Sequence, residues 1–284
     1  MRLFDLPQAK YFCAPSDATL ARVGRQALSS FHATPTRGSS LLEEGTTAFQ
    51  VHQVNVVESV DRWLVYALAH YRRAVDMLVP VSAPWAQVTL YYSSFFSANA
   101  ILGMFGGWMG HTSLGNRLVD VERGAIGNQA LRIQRRFRSP TGGAGSHTMF
   151  WAVFYDATAQ IAAWAPPEFK DALDPVNQDS AWQIAERNNV NYDMFHAWVA
   201  SKQMHATLNP AKLETLSGSL RLQLEAAERL LGLALHFAKA LAVRSTALNG
   251  CGPAGARTEI QRRLVTQRAP SMVTQSQLAA LFDA

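Results

Sequence analysis

The sequence predicts a predominantly helical fold, all-α apart from one small basic β-hairpin, and three observations carry that expectation. Apolar residues recur at intervals of three and four over long stretches, the period of helices with one buried face. Alternating patterns are short, around 118–121 and 131–134, and glycines separate them. The 284 residues are 48% hydrophobic and 17% charged, which supplies a large core and excludes disorder of the whole chain.

Residues 1–50 read as an N-terminal extension, with a short helix over 17–30 and breaks around Pro35, Gly38 and Gly45. A helical domain over 51–248 follows. Its first helix covers 54–79, where Val57, Val60, Leu64, Leu68, Tyr71, Val75 and Leu78 form one stripe. Pro80 and Pro84 end it and start the second helix, which runs to Gly106-Gly107 with Val88, Tyr92, Phe95, Leu102 and Phe105 as its stripe. The stretch 88–109 carries no charge, yet Tyr91, Tyr92, Ser93, Ser94, Ser97 and Asn99 suit a buried central helix better than a lipid-facing one. No membrane association is expected.

Residues 109–146 form an insertion in that domain. Leu118-Val119-Asp120-Val121 and Leu131-Arg132-Ile133-Gln134 alternate across Gly124 and Gly127, as a hairpin would. A third helix covers 148–164 and stops before Pro166-Pro167. A short helix carrying Trp182, Ile184 and Ala185 leads into a polar segment at 186–195. Asn209-Pro210 opens the last helix, whose stripe runs from Leu213 through Leu224 and Leu231 to Leu241. On its opposite face Arg221, Glu225 and Arg229 stand four apart. Residues 249–284 form a C-terminal tail with short helical patterns at 258–267 and 275–282.

The formal net charge is +5, and the cations are 21 arginines against 5 lysines. Guanidinium groups suit bidentate phosphate contacts, and an arginine-rich genome gives the same composition. Arg117, Arg123, Arg132, Arg135, Arg136 and Arg138 fall within 22 residues, opposed by Asp120 and Glu122. Two readings stand side by side: a mobile basic hairpin that tracks a nucleic-acid backbone, and a charged strand edge that discourages sheet pairing.

Several chemistries are disfavoured. Cys13 and Cys251 lie near opposite ends and form no CxxC pair, which argues against a zinc site or disulfide framework and fits a reducing, cytoplasmic setting. Gly142-Gly143-Ala144-Gly145-Ser146 lacks the lysine and spacing of a P-loop. The eight histidines include no HExxH or ExxH pattern, so neither a metal nor a cofactor is expected.

The polar segment Glu186-Arg187-Asn188-Asn189-Val190-Asn191-Tyr192-Asp193-Met194-Phe195 is the candidate site. Arg187 brings five donors, Asn188 an amide and Tyr192 a phenol, a set able to hold a phosphate. The structural alternative has Asn188-Asn189 breaking a helix, Asn191 capping the next turn and Arg187 paired with a carboxylate.

Arg187-Asn188 followed by three residues and Tyr192 resembles the Arg-x4-6-His motif of the HEPN superfamily, in the Tyr-ended form of a prokaryotic branch. Tyr91-Tyr92-Ser93-Ser94-Phe95-Phe96-Ser97-Ala98-Asn99-Ala100-Ile101-Leu102 is similar to that branch's second helix, and Leu224-Glu225-Ala226-Ala227-Glu228-Arg229-Leu230-Leu231 to its last. The resemblance covers roughly 54–243. It implies a HEPN-like helical bundle, a homodimer, and RNA or a nucleotide held in a cleft, with metal-independent cleavage by the ribose 2′-hydroxyl in a prokaryotic defence or toxin-antitoxin setting. Arg187 and Asn188 fall on the family's phosphate-binding pair. Tyr192 replaces the histidine, and an unperturbed phenol titrates near ~10, so binding survives the exchange better than catalysis. His196 stands nine residues after Arg187, beyond the motif's spacing.

Two rival readings fit the same residues. One is a noncatalytic helical scaffold that contacts a partner protein or nucleoprotein complex through the basic hairpin or tail. The other is an enzyme unrelated to RNA, with a pocket lined by Trp151, Tyr155, Trp182 and Trp198.

Overall fold

A computed structural model describes residues 40–43, 46–77, 83–112, 115–123, 129–135, 145–174, 176, 179, 182–192 and 218–246. The elements in chain order are β1 (Ser40–Glu43), α1 (Thr47–Met77), α2 (Ala83–Met104), β2 (Trp108–Thr112), β3 (Gly115–Arg123), β4 (Gln129–Arg135), α3 (Ser146–Ala162), a 3-10 helix (Pro167–Ala172), α4 (Trp182–Tyr192) and α5 (Gly218–Thr246). The helices expected from Pro84 to Gly106 and over 148–164 are present within about two residues, the one expected over 54–79 begins seven residues earlier at Thr47, inside the segment read as an extension, and α5 covers most of the last expected one. The expected helices at 17–30, 258–267 and 275–282 lie outside the described residues.

The described residues divide between two compact units, one drawn from Met1–Arg62, Asn99–Trp164 and Phe237–Ala254, the other from Trp63–Ala98, Ala165–His236 and Gly255–Ala284.

The first unit holds a four-stranded antiparallel sheet of order β1-β4-β3-β2. The insertion is therefore more than a hairpin. Its expected strands are β3 and β4, but β2 joins β3 and β1, from the segment read as an extension, joins β4. Consecutive strand residues point to opposite faces, and both Leu118 and Val119 are buried. At that point β3 is covered on two sides, so the picture of a mobile hairpin gives way to an interior strand pair. Helices predominate and a small antiparallel sheet accompanies them, as the sequence predicts, with four strands where two were expected.

The turn from α2 into the sheet has a definite cause. Gly106 adopts φ 81°, the Gly106 N–H donates to the Gly103 carbonyl at 3.0 Å, and the Gly107 N–H donates to the Leu102 carbonyl at 2.9 Å. This Schellman pair satisfies the last carbonyls of α2 and requires a residue free to enter the left-handed region. At the other end of the unit's chain, Thr46 Oγ1 accepts a hydrogen bond from the Phe49 N–H at 3.2 Å and caps α1. The unit's aromatic core is Phe150, Trp151 and Phe154 on α3, together with Phe105 edge-on to Phe237. Trp151 is therefore core, while Tyr155 on the same helix is 45% exposed, and Trp198 lies outside the described residues.

The second unit holds residues 63–77 of α1, 83–98 of α2, the 3-10 helix, α4 and residues 218–236 of α5. Its apolar interior includes Leu64, Leu68, Val75, Val88, Leu90, Ile184, Leu224 and Leu231. Serines 93, 94 and 97 are buried, and the Ser93 hydroxyl donates to the Ala67 carbonyl at 2.8 Å, which lets α1 and α2 pack closely with that hydroxyl satisfied. Of the exposed ladder on α5, Arg221 and Glu225 pair at 2.9 Å, whereas Arg229 reaches Asp171 on the 3-10 helix at 3.8 Å.

Gly232 on α5 sets the spacing to that 3-10 helix, because a Cβ there would lie 2.5 Å from Cε1 of Phe169. The Gly232→Ala variant is expected to lose about 1–3 kcal/mol in denaturant unfolding as the ring is displaced. An unchanged midpoint would show that Phe169 turns aside freely.

Candidate functional site

The polar segment 186–192 is helical throughout. α4 runs without interruption from Trp182 to Tyr192, so Asn188-Asn189 does not break it. Burial of Ile184 and Val190 anchors this helix, while Asn189 and Asn191 are exposed. Tertiary packing outweighs the weak helix propensity of asparagine here.

Arg187 is half-buried, and its guanidinium carbon sits 5.4 Å from the centroid of the Tyr91 ring on α2. Tyr91 is 1% exposed, so the ring forms the floor under the guanidinium. A cation placed over an aromatic face gains about 0.5–2 kcal/mol, depending on how far it is desolvated. The Nε of Arg187 is buried and has no hydrogen-bond partner. Among the described residues no carboxylate pairs with Arg187.

Asn188 follows Arg187 and is half-buried. Tyr192 is the last residue of α4, and its ring lies outside the described residues, as does His196.

Sequence reasoning missed several polar groups in this unit. Gln183, four residues before Arg187 and on the same helix face, is 4% exposed, and neither end of its amide has a partner. The amide of Gln223 on α5 is in the same state. Burying such groups unpaired costs about 1–3 kcal/mol each. The signal for Gln183 was its i−4 spacing from Arg187; for Gln223 the apolar stripe of α5 gave none. Tyr71 on α1 is buried beside the buried Glu228 of α5. Burial first and the Glu228 carboxylate next hold the Tyr71 phenol well above its ordinary pKa, so it stays protonated at neutral pH. The pair is close enough for that coupling without reaching full hydrogen-bond geometry.

The basic cluster lies elsewhere, in the unit that holds the sheet. Arg117 and Arg123 are on β3, and Arg132 and Arg135 on β4; Arg136 and Arg138 lie outside the described residues. Arg117 stands opposite Arg135, Arg123 opposite Gln129, and Arg132 opposite Asp120. Arg117, Arg123 and Arg135 thus share one parity of the ladder, and Arg132 has the other, so the pleat divides the cluster.

Among the described residues no group of three histidines, cysteines or carboxylates stands close enough to hold a metal ion. Among them, too, no helix is long and apolar enough to cross a membrane. The chain matches no family model, no curated protein and no solved structure.

Proposed function

We propose that the chain is a HEPN-like protein that binds RNA or a nucleotide phosphate at Arg187. One observation carries this reading: a guanidinium half-buried on an aromatic floor, without a carboxylate among the described residues, and with a buried Nε–H still unpartnered. Such a group has part of its desolvation already met and gains a charge-assisted, bidentate partner when a phosphate arrives. Asn188 adds an amide beside it. A homodimer would bring a second copy of this helix to the ligand, as the family resemblance implies.

The phenol at position 192 favours binding over cleavage, because an unperturbed phenol titrates near ~10 and is a poor general base at neutral pH. The favoured form is a degenerate, noncatalytic relative in a prokaryotic defence setting, acting as an RNA-binding scaffold in a larger assembly.

The experiment is incubation of the full chain with single-stranded RNA in EDTA, with fluorescence anisotropy for binding and gel analysis for cleavage. Binding without cyclic-phosphate products is expected. The Tyr192→Phe variant should bind within about threefold of the parent, a loss smaller than that of one neutral hydrogen bond at the upper end of its range. Cyclic-phosphate ends that disappear in both Tyr192→Phe and Arg187→Ala would instead establish the metal-independent nuclease.

Deleting 117–138 is a poor test of the basic cluster, because it removes the central strand pair of the sheet. Neutralising substitutions are cleaner. If the sheet meets phosphates on one side, replacing Arg117, Arg123 and Arg135 together by alanine should flatten the log–log salt slope of RNA affinity by about 2. Arg132→Ala, opposite Asp120, should leave that slope unchanged. Equal slopes in both variants would remove the sheet from the RNA-binding surface.

A further inference from the structure

The α1–α2 hairpin of the second unit carries a surface that the Arg187 site does not use. Tyr66 on α1 meets Phe96 on α2 with ring centroids 5.3 Å apart, and His70 lies nearly parallel to Phe96 at 5.4 Å and 5.7 Å from Tyr92. As the residue number rises on α1 it falls on α2, so the two helices run antiparallel, and the Ser93–Ala67 hydrogen bond fixes the same register.

Helical spacing makes this a track and not a single cluster. Tyr66, His70 and Arg73 recur at four and three along α1, and Trp85, Tyr92 and Phe96 at seven and four along α2. Each trio lies on one stripe of its helix. Extending the register places Arg73 between the His70–Tyr92 rung and Trp85. The span from Trp85 to Phe96 is about 16 Å at 1.5 Å per residue. Trp85 is 63% exposed and Tyr66 is 50% exposed, while His70, Tyr92 and Phe96 are half-buried and hold the rungs in place.

Tyr66 and Trp85, the rings at the two ends of the row, are thus open to a ligand. The row's charge points to the occupant. Arg73 is exposed, and the nearby carboxylate of Asp76 is engaged by Arg72 at 3.5 Å, so the track presents a net positive charge between aromatic surfaces. Burial lowers the pKa of His70, which leaves its ring neutral and stacked at neutral pH. Interleaved rings and a cation match a chain of bases joined by phosphates.

We propose that the outer stripes of α1 and α2 form a stacking track for single-stranded nucleic acid, with Trp85 and Tyr66 as base platforms at its two ends and Arg73 contacting the backbone between them. The track is independent of Arg187 and would hold even if that site bound nothing.

The test uses the full chain and a fluorescein-labelled twelve-nucleotide oligouridine, read by anisotropy and by tryptophan fluorescence. Replacing both Tyr66 and Trp85 by alanine should weaken binding at least about fivefold, with an unchanged salt slope, because stacking releases no counterions. Arg73→Ala should lower that slope by about 0.7. Trp85→Phe keeps a platform, so it should retain affinity while losing part of the RNA-induced quenching. That quenching should persist in Arg187→Ala, which separates this track from the other site.

Both rings are largely exposed, so circular dichroism should show the double variant folded. Unchanged affinity in it would overturn the proposal. So would a drop in molar mass by light scattering with RNA binding intact, which would make the same face a contact between two copies of the chain.

Discussion

Arg187→Ala is expected to weaken binding of single-stranded RNA by about tenfold to a hundredfold, the loss of one charge-assisted phosphate contact of about 1.5–3 kcal/mol. The fold should tolerate the change. The guanidinium gives up its contact with Tyr91, but a buried Nε without a partner disappears as well, and the two terms oppose each other. Thermal unfolding should therefore move by no more than a few degrees. Arg187→Lys should fall between parent and alanine, since an ammonium keeps the charge and loses the planar fork. Equal affinities in all three proteins would leave Arg187 as a packing residue, and the scaffold reading would then stand without a phosphate site.

Trp151→Ala is expected to have the largest effect on stability. Trp151 is among the largest fully buried side chains, set edge-on to Phe150 at 5.5 Å and to Phe154 at 5.8 Å. Truncation removes its transfer free energy and opens a cavity in a packed aromatic cluster, for a loss of about 3–5 kcal/mol. For a chain of this length that lowers Tm by on the order of 10 °C, measurable by calorimetry. Trp151→Phe should recover a good part of it. A loss below about 1 kcal/mol for the alanine variant would mean the cluster collapses around the gap, and the interior would be softer than its ring geometry suggests.

Helices were legible in the sequence where packing enforces the period of 3.6. Leu64, Leu68, Tyr71 and Val75 on α1, and Leu220, Leu224 and Leu231 on α5, are all buried. The strand pair β3–β4 was legible from its alternation. Its neighbours were not: β1 has four residues and β2 has five, too few for a period of two to stand out, and β1 joins the sheet only through pairing distant in sequence. Reading the pair as an isolated hairpin followed from that omission.

At the candidate site the residue types were legible and their geometry was not. Asparagine pairs favour turns, so Asn188-Asn189 suggested a break that the buried Ile184 and Val190 prevent. The floor under Arg187 comes from Tyr91, almost a hundred residues earlier, which local spacing cannot reveal. The aromatic pairs at 91–92 and 95–96 drew attention as a family resemblance. Only the register of α1 against α2 separates buried Tyr91 from half-exposed Tyr92 and Phe96.

The most direct measurement follows the Arg187 Nε–H itself. In the protein labelled with 15N-arginine, this resonance is identified by its loss in Arg187→Lys and followed during titration with single-stranded RNA. A downfield proton shift that saturates with the same Kd as anisotropy is the predicted result, because a phosphate held by the outer N–H groups polarises the whole guanidinium, the buried Nε–H included. A resonance that stays in place while the RNA is fully bound would contradict the account.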